Sequence, residues 1–183
     1  MKKLNILIIF LFASQFVISQ DRFITRNGVV SFISEAPLEK IEAINEKVSC
    51  VLDFNTGKIV FQISMIAFDF DKALMQEHFN EKYVESEIYP KSTFTGKIEN
   101  WDLLNTKQEG VFNVKSSGVI EIHGVKKEIV ADGILEILNK KVNIKSSFSI
   151  KIEEFNIKTP RIVRDNIAEE VIIDVDVQLI KHN

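Results

Sequence analysis

The sequence predicts an all-β protein of long antiparallel strands, closed into a barrel or paired as a sandwich, with one or two short helices. Three observations predict it. Apolar and polar residues alternate with period two over most of the chain. Turn-forming residues fall between the alternating runs. One stretch, 71–79, breaks the alternation with helical spacing.

In chain order, the first clear run carries Val48, Cys50, Leu52 and Phe54 on one face, with Lys47, Ser49 and Asp53 on the other. Asn55-Thr56-Gly57 follows at hairpin spacing. The run 59–68 is apolar on both faces, with Phe61, Ile63 and Met65 on one and Ile66 and Phe68 on the other. It reads as a central strand or one covered by a helix. Residues 71–79 read as a short helix starting near Asp71, with Met75 and Phe79 four apart on one face and Leu74 beside them. A weaker helical stripe runs through Leu38, Ile41, Ala43 and Ile44. His123-Gly124 and Asn139-Lys140 read as reversals. Asp132-Gly133 reads as a bulge inside one long strand, because apolar residues continue on both sides.

The last two runs alternate most cleanly. Val142, Ile144, Ser146, Phe148, Ile150 and Ile152 oppose Lys145 and Lys151, and Val171 to Leu179 oppose Asp174, Asp176 and Gln178. A face this charged does not suit acyl chains, so a membrane-spanning barrel is the wrong reading. Closure on itself would remove the exposed strand edges.

The length, 183 residues, suits one domain, and a net charge of −3 gives no basic footprint for nucleic acid. The N-terminus differs from the rest. Lys2 and Lys3 precede apolar stretches at 4–12 and 16–18, with Val17 and Ser19 at the −3 and −1 positions of a cleavage site. Residues 1–19 therefore read as a secretion signal and 20–183 as the mature domain, exported to the periplasm or secreted rather than membrane-spanning. The single cysteine, Cys50, permits no intrachain disulfide and reads as a buried small hydrophobe.

Candidate chemistry is sparse. Of three histidines, His182 lies in the tail, and His78 and His123 lack the ligand spacing that a metal needs. His123 reads as orienting its turn, and His78, on the short helix, as a possible head-group contact. Glu77, Glu81, Glu85 and Glu87 around Lys82 read as solvated charge. No nucleophile elbow, phosphate loop or dinucleotide fingerprint is present, so neither an enzyme nor a cofactor is expected.

Three stretches carry a family resemblance. The first runs from Met75 through Tyr83 to Ser86, then Tyr89-Pro90-Lys91-Ser92-Thr93-Phe94-Thr95-Gly96. The second is Gly118-Val119-Ile120-Glu121-Ile122-His123-Gly124-Val125-Lys126-Lys127. The third is Phe148-Ser149-Ile150, with Phe155-Asn156-Ile157 and Pro160 after it. Together they resemble the YceI-like family over roughly 25–180, although the family's opening, an Asp followed closely by His-Ser, is absent from 21–32. The resemblance implies an extended, lipocalin-like antiparallel barrel that holds a long isoprenoid or related lipid. Family position and alternation together assign the cavity to Phe61, Ile63, Met65, Phe68, Leu74, Met75, Phe79 and Phe94, with Phe148 and Ile150 added from the 142–152 run. The expected partner is an isoprenoid or other long-chain lipid, with room for a homodimer. Two rivals stand beside this reading: an envelope interaction module with a filled core, and an enzyme acting on a lipid head group through His78 and Glu85.

Overall fold

A computed structural model describes residues 21–182 of the chain; the expected secretion signal, 1–19, lies outside the described residues. The elements are β1 (Arg22–Glu35), β2 (Lys40–Asp53), β3 (Lys58–Ser64), β4 (Asp69–Phe70), α1 (Ala73–His78), β5 (Lys91–Ile98), β6 (Gly110–Ile122), β7 (Val125–Leu138), β8 (Lys141–Lys151) and β9 (Glu170–Lys181). All strand pairings are antiparallel, and eight strands run as a meander, β1-β2-β3-β5-β6-β7-β8-β9, whose last member pairs back onto β1. The sheet is a closed barrel, and the sandwich alternative is excluded. The two-residue β4 is an addition to β2, opposite Ala43 and Ile44.

Alternation decides which side chains point inward. Val142 and Ile144 on β8 and Val171, Val177 and Leu179 on β9 are buried, while Lys145 and Asp176 form an ion pair outside at 2.9 Å. The expected helical piece at 38–45 is instead the start of β2. Ala43 and Asn45 are buried between exposed neighbours, a period of two that overrides the weak helical stripe. Only one α-helix forms among the described residues, and it continues into a π-type turn at Phe79–Tyr83, with the Val84 N–H donating to the Phe79 carbonyl.

The turns follow residue chemistry. His123-Gly124 and Asn139-Lys140 join their hairpins with both residues at positive φ, the geometry of a two-residue loop that matches strand twist. No bulge forms at Asp132-Gly133, where the β6–β7 register runs unbroken. Instead β7 loses β8 there. Their pairing begins at Leu138↔Lys141 and stops at Gly133↔Ser146, though both strands continue. The Ser146 hydroxyl donates to the Asp132 carbonyl at 2.6 Å, in place of the next ladder bond.

A similar repair occurs where β3 ends. Ser64 leads into a 3₁₀ turn at Met65–Ala67, and the fully buried Asn45 donates from Nδ2 to the Ser64 carbonyl at 2.8 Å while its Oδ1 accepts the Lys47 N–H at 2.9 Å. That turn puts both Met65 and Phe68 inside and leaves Ile66 exposed, where strict alternation had placed Met65 and Phe68 on opposite faces.

The two ends of the barrel differ. At one end Leu52, Leu135, Val142 and Leu179 are fully buried around Phe23, Ile59 and Ile98, and Trp101 covers them, donating from Nε1 to the Phe54 carbonyl at 2.9 Å. The turns 54–57 and 139–140 and the connection 99–109, which carries Trp101, close this end. The other end carries the long connections, 65–90 and 152–169.

Replacing Asn45 by Ala should lower stability by about 1–3 kcal/mol, since the Ser64 carbonyl and the Lys47 N–H lose a fully buried partner. Urea unfolding followed by Trp101 fluorescence measures this; an unchanged midpoint would show that Asn45 is not needed to join β2 to the end of β3. Cys50 is fully buried and burial pushes its thiol pKa well above the ordinary range. It should resist thiol reagents in the native protein and react once urea unfolds the barrel.

Candidate functional site

At the wide end the inward faces do not meet. They enclose a cavity of about 420 Å³, within the range typical of small-molecule sites. Phe61 and Ile63 of β3, Phe94 of β5, and Phe148 and Ile150 of β8 line its walls, and Met65 and Phe68 line it from the connection after β3. Phe94 gains its place from a glycine pair. Gly96 and Gly118 face each other across β5 and β6, and a Cβ on Gly96 would lie 2.6 Å from the Phe94 ring. The ring therefore lies where two side chains would otherwise project.

The segment 73–84 forms one side of the mouth. Met75, His78, Phe79 and Tyr83 are spaced so that helix and π-type turn present them on a single face, and all four line the cavity together with Val84. Leu74 does not. It is 60% exposed, because it precedes Met75 by one residue and so points about 100° away around the helix. Phe79 holds the segment down. It packs with Phe32, Phe68 and Phe70 at ring centroid distances of 5.1–5.6 Å. His78 reaches the lining, and its ring makes no hydrogen bond among the described residues.

Several contributors escaped sequence reasoning. Phe32, Phe70, Ile129, Ile152, Ile157 and Ile173 also line the cavity, as do Glu39 and Asn166. The strand residues were legible in the alternation. Glu39 and Asn166 were not, because they sit in connections that only the fold brings together. At the rim, the Lys72 ammonium donates to Glu39 Oε1 at 3.0 Å and Asn166 Nδ2 to Oε2 at 3.4 Å. The Lys72 hydrogen bond holds the Glu39 carboxyl below the usual carboxylate range. Burial raises the Tyr83 phenol.

A second polar group lies beside the cavity. His123 Nε2 is 2.7 Å from Glu85 Oε2, and Nδ1 is 3.1 Å from the Phe155 carbonyl. Both ring nitrogens face oxygen atoms, which fixes the plane of the ring. Tyr89 packs edge-on against the imidazole, with ring centroids 4.5 Å apart. Glu85, expected to be solvated charge, is thus the partner of His123. Instead of orienting its own turn, His123 ties the segment after α1 to the 152–155 turn, whose Phe155 is buried where β7 and β8 part. No cluster of three or more potential metal ligands occurs among the described residues.

An eight-stranded meander, packed solid at one end and hollow and apolar at the other, defines a lipocalin-like barrel. The model of the YceI-like domain matches residues 23–179, and the chain belongs to that family. Solved structures share the fold. A polyisoprenoid binding domain from Saccharophagus degradans, implicated in plant cell wall breakdown, superposes with a TM-score of 0.77 at 12% identity, over 89% of this chain and 99% of that one. BcnA from Burkholderia cenocepacia gives 0.69 at 18% identity, over 83% and 95% of the two chains. The Campylobacter jejuni YceI protein gives 0.61 at 20% identity, over 77% and 84%. No curated protein matches the chain.

Replacing Glu85 by Ala should cost about 1 kcal/mol, because the pair is partly exposed and the ring keeps its bond to Phe155. Gly124→Ala should cost more, about 2 kcal/mol. Its φ is +72° and the new Cβ would lie 2.6 Å from the Tyr89 ring. Thermal unfolding of both variants tests the ranking, and a Gly124→Ala protein as stable as the parent would refute the crowding at Tyr89.

Proposed function

We propose that this protein holds a long-chain lipid of isoprenoid type in the barrel cavity, performs no chemistry on it, and does so outside the cytoplasm. The observation that carries the reading is the cavity itself. Its wall is aliphatic and aromatic on every strand side, and its few polar groups are mostly at the mouth or already hydrogen-bonded. A polyisoprenoid binding domain among the structural relatives supports the same reading. Each buried CH₂ contributes about 0.8 kcal/mol, so a few isoprene units supply on the order of ten kcal/mol before ordering costs. No charged anchor is then required for the chain itself.

The rivals find less support. A filled core would suit an interaction module, and the wide end is hollow instead. An enzyme using His78 with Glu85 needs those groups together, but Glu85 is engaged by His123. For export, the support is the N-terminal pattern of Lys2, Lys3 and the apolar stretches that follow. No helix among the described residues is long and apolar enough to cross a membrane.

Mass spectrometry of solvent extracts from protein purified out of its native envelope should find about one prenyl-chain lipid per barrel, on a mature chain beginning at Gln20. Ile150→Trp, which adds bulk to the cavity wall, should reduce that lipid to roughly a tenth while the far-UV spectrum stays that of a β-barrel. Undiminished lipid in Ile150→Trp would count against the cavity as its location, and a parent protein without lipid would count against the function.

A further inference from the structure

We propose that Glu39 anchors the lipid's head group, and that the head group is uncharged and donates a hydrogen bond: an alcohol, phenol or amide rather than a phosphate or carboxylate. This rests on the lipid-holding reading and adds the chemistry of its polar end.

Charge is the first ground. Among the described residues that line the cavity there is no Lys and no Arg, and the one carboxylate is Glu39. Lys72, the nearest cation to it, lies outside the lining and already spends its charge on that carboxylate. A phosphate or fatty-acid carboxylate seated at this mouth would leave water to face a like charge with no Lys or Arg in the cavity lining to compensate.

Hydrogen-bonding capacity is the second ground. The hydroxyls of Ser92, Ser116 and Ser146 are spent on Met65, Ala131 and Asp132, and that of Ser34 accepts the Ala168 N–H. Glu39 is not saturated. A carboxylate accepts about four hydrogen bonds. Glu39 takes one at 3.0 Å from Lys72 and a long one, 3.4 Å, from Asn166. It therefore offers acceptor capacity and no donor.

Position is the third. Glu39 joins the three connections that form the rim. Lys72 ties it to the start of α1, Asn166 to the 152–169 connection, and the neighbouring Leu38 N–H donates to the Asp165 carbonyl. A chain lying along the lumen would bring its polar end to this junction. His78 and Tyr83, which also line the cavity, have no side-chain hydrogen bond among the described residues and can serve as secondary contacts.

Three probes of one chain length separate the terms: geranylgeraniol, its O-methyl ether and geranylgeranyl pyrophosphate, titrated into delipidated protein and followed by native mass spectrometry. The alcohol should bind best, the ether about ten-fold more weakly for want of a donor, and the pyrophosphate at least about 100-fold more weakly. Glu39→Leu should make alcohol and ether equal. Glu39→Gln, which removes the repulsion and frees Lys72, should bring the pyrophosphate to within about ten-fold of the alcohol. Circular dichroism and unfolding midpoints confirm that both variants fold. Equal binding of alcohol and ether by the parent, or pyrophosphate binding as tight as the alcohol, overturns the Glu39 assignment. Failure of all three probes overturns the lipid reading beneath it.

Discussion

A barrel wall holds only if its first strand can pair on both sides, and β1 does this by breaking its own regularity. It pairs with β2 and with β9, and its register against both shifts in the stretch 24–30. Gly28 sits in that stretch, against Val177, where a Cβ would lie 2.5 Å from a methyl carbon. The shift changes the parity of the strand, so that odd-numbered Phe23 and even-numbered Val30 both point inward. β2 changes parity opposite it, between Asn45 and Val48. Without this paired irregularity one half of each strand would turn its apolar face to water.

The same irregularity sets the division between a solid and a hollow end. Below it, Phe23, Cys50 and Leu52 fill the lumen with Trp101 as a cover. Above it, the strands must spread, and the ladder is interrupted in two places. Asn45 mends one interruption and the Phe155 turn, tied to His123, fills the other. Each repair uses a buried polar group with satisfied partners, which is how an interior can carry polarity at small cost. The His123–Glu85 pair is intelligible in these terms. It fastens two connections beside a seam in the wall and does not face the cavity, which is a structural use of residues that could have served catalysis.

Much of this was legible in the sequence because a barrel strand has a single rule, alternation. Alternation together with family position assigned Phe61, Ile63, Phe94, Phe148 and Ile150 to the cavity, and all five line it. The rule failed where the backbone departs from a strand. Phe68 was assigned to the far face from Met65, and the 3₁₀ turn brings both inside. Leu74 was grouped with Met75 as a neighbour, although neighbours on a helix diverge by about 100°. The 38–45 piece looked weakly helical because Leu38, in the turn before β2, and Ile44, on its outer face, are exposed apolar residues that add a false stripe to the inward Ala43. Glu39, Asn166 and the partner of His123 could not be read at all. Their meaning depends on contacts between connections far apart in sequence, and no local pattern encodes such a contact.

Those contacts also decide which part of the protein must move if a hydrocarbon chain is to reach the lumen. Apart from the seam where β7 and β8 part, the wall is joined by ladders, and opening it would break many hydrogen bonds together. The cover is different. α1 has six residues, too few to be stable by itself. It is fastened by the Phe79 cluster, by one exposed ion pair from Lys72 to Glu39, and farther along by Glu85 on His123. Aromatic contacts contribute about 0.5–1.5 kcal/mol each beyond burial, and exposed ion pairs less. A lipid that replaces the Phe79 contacts with its own would compensate for part of their loss. Local opening is therefore expected in 65–90 rather than across the eight-stranded wall.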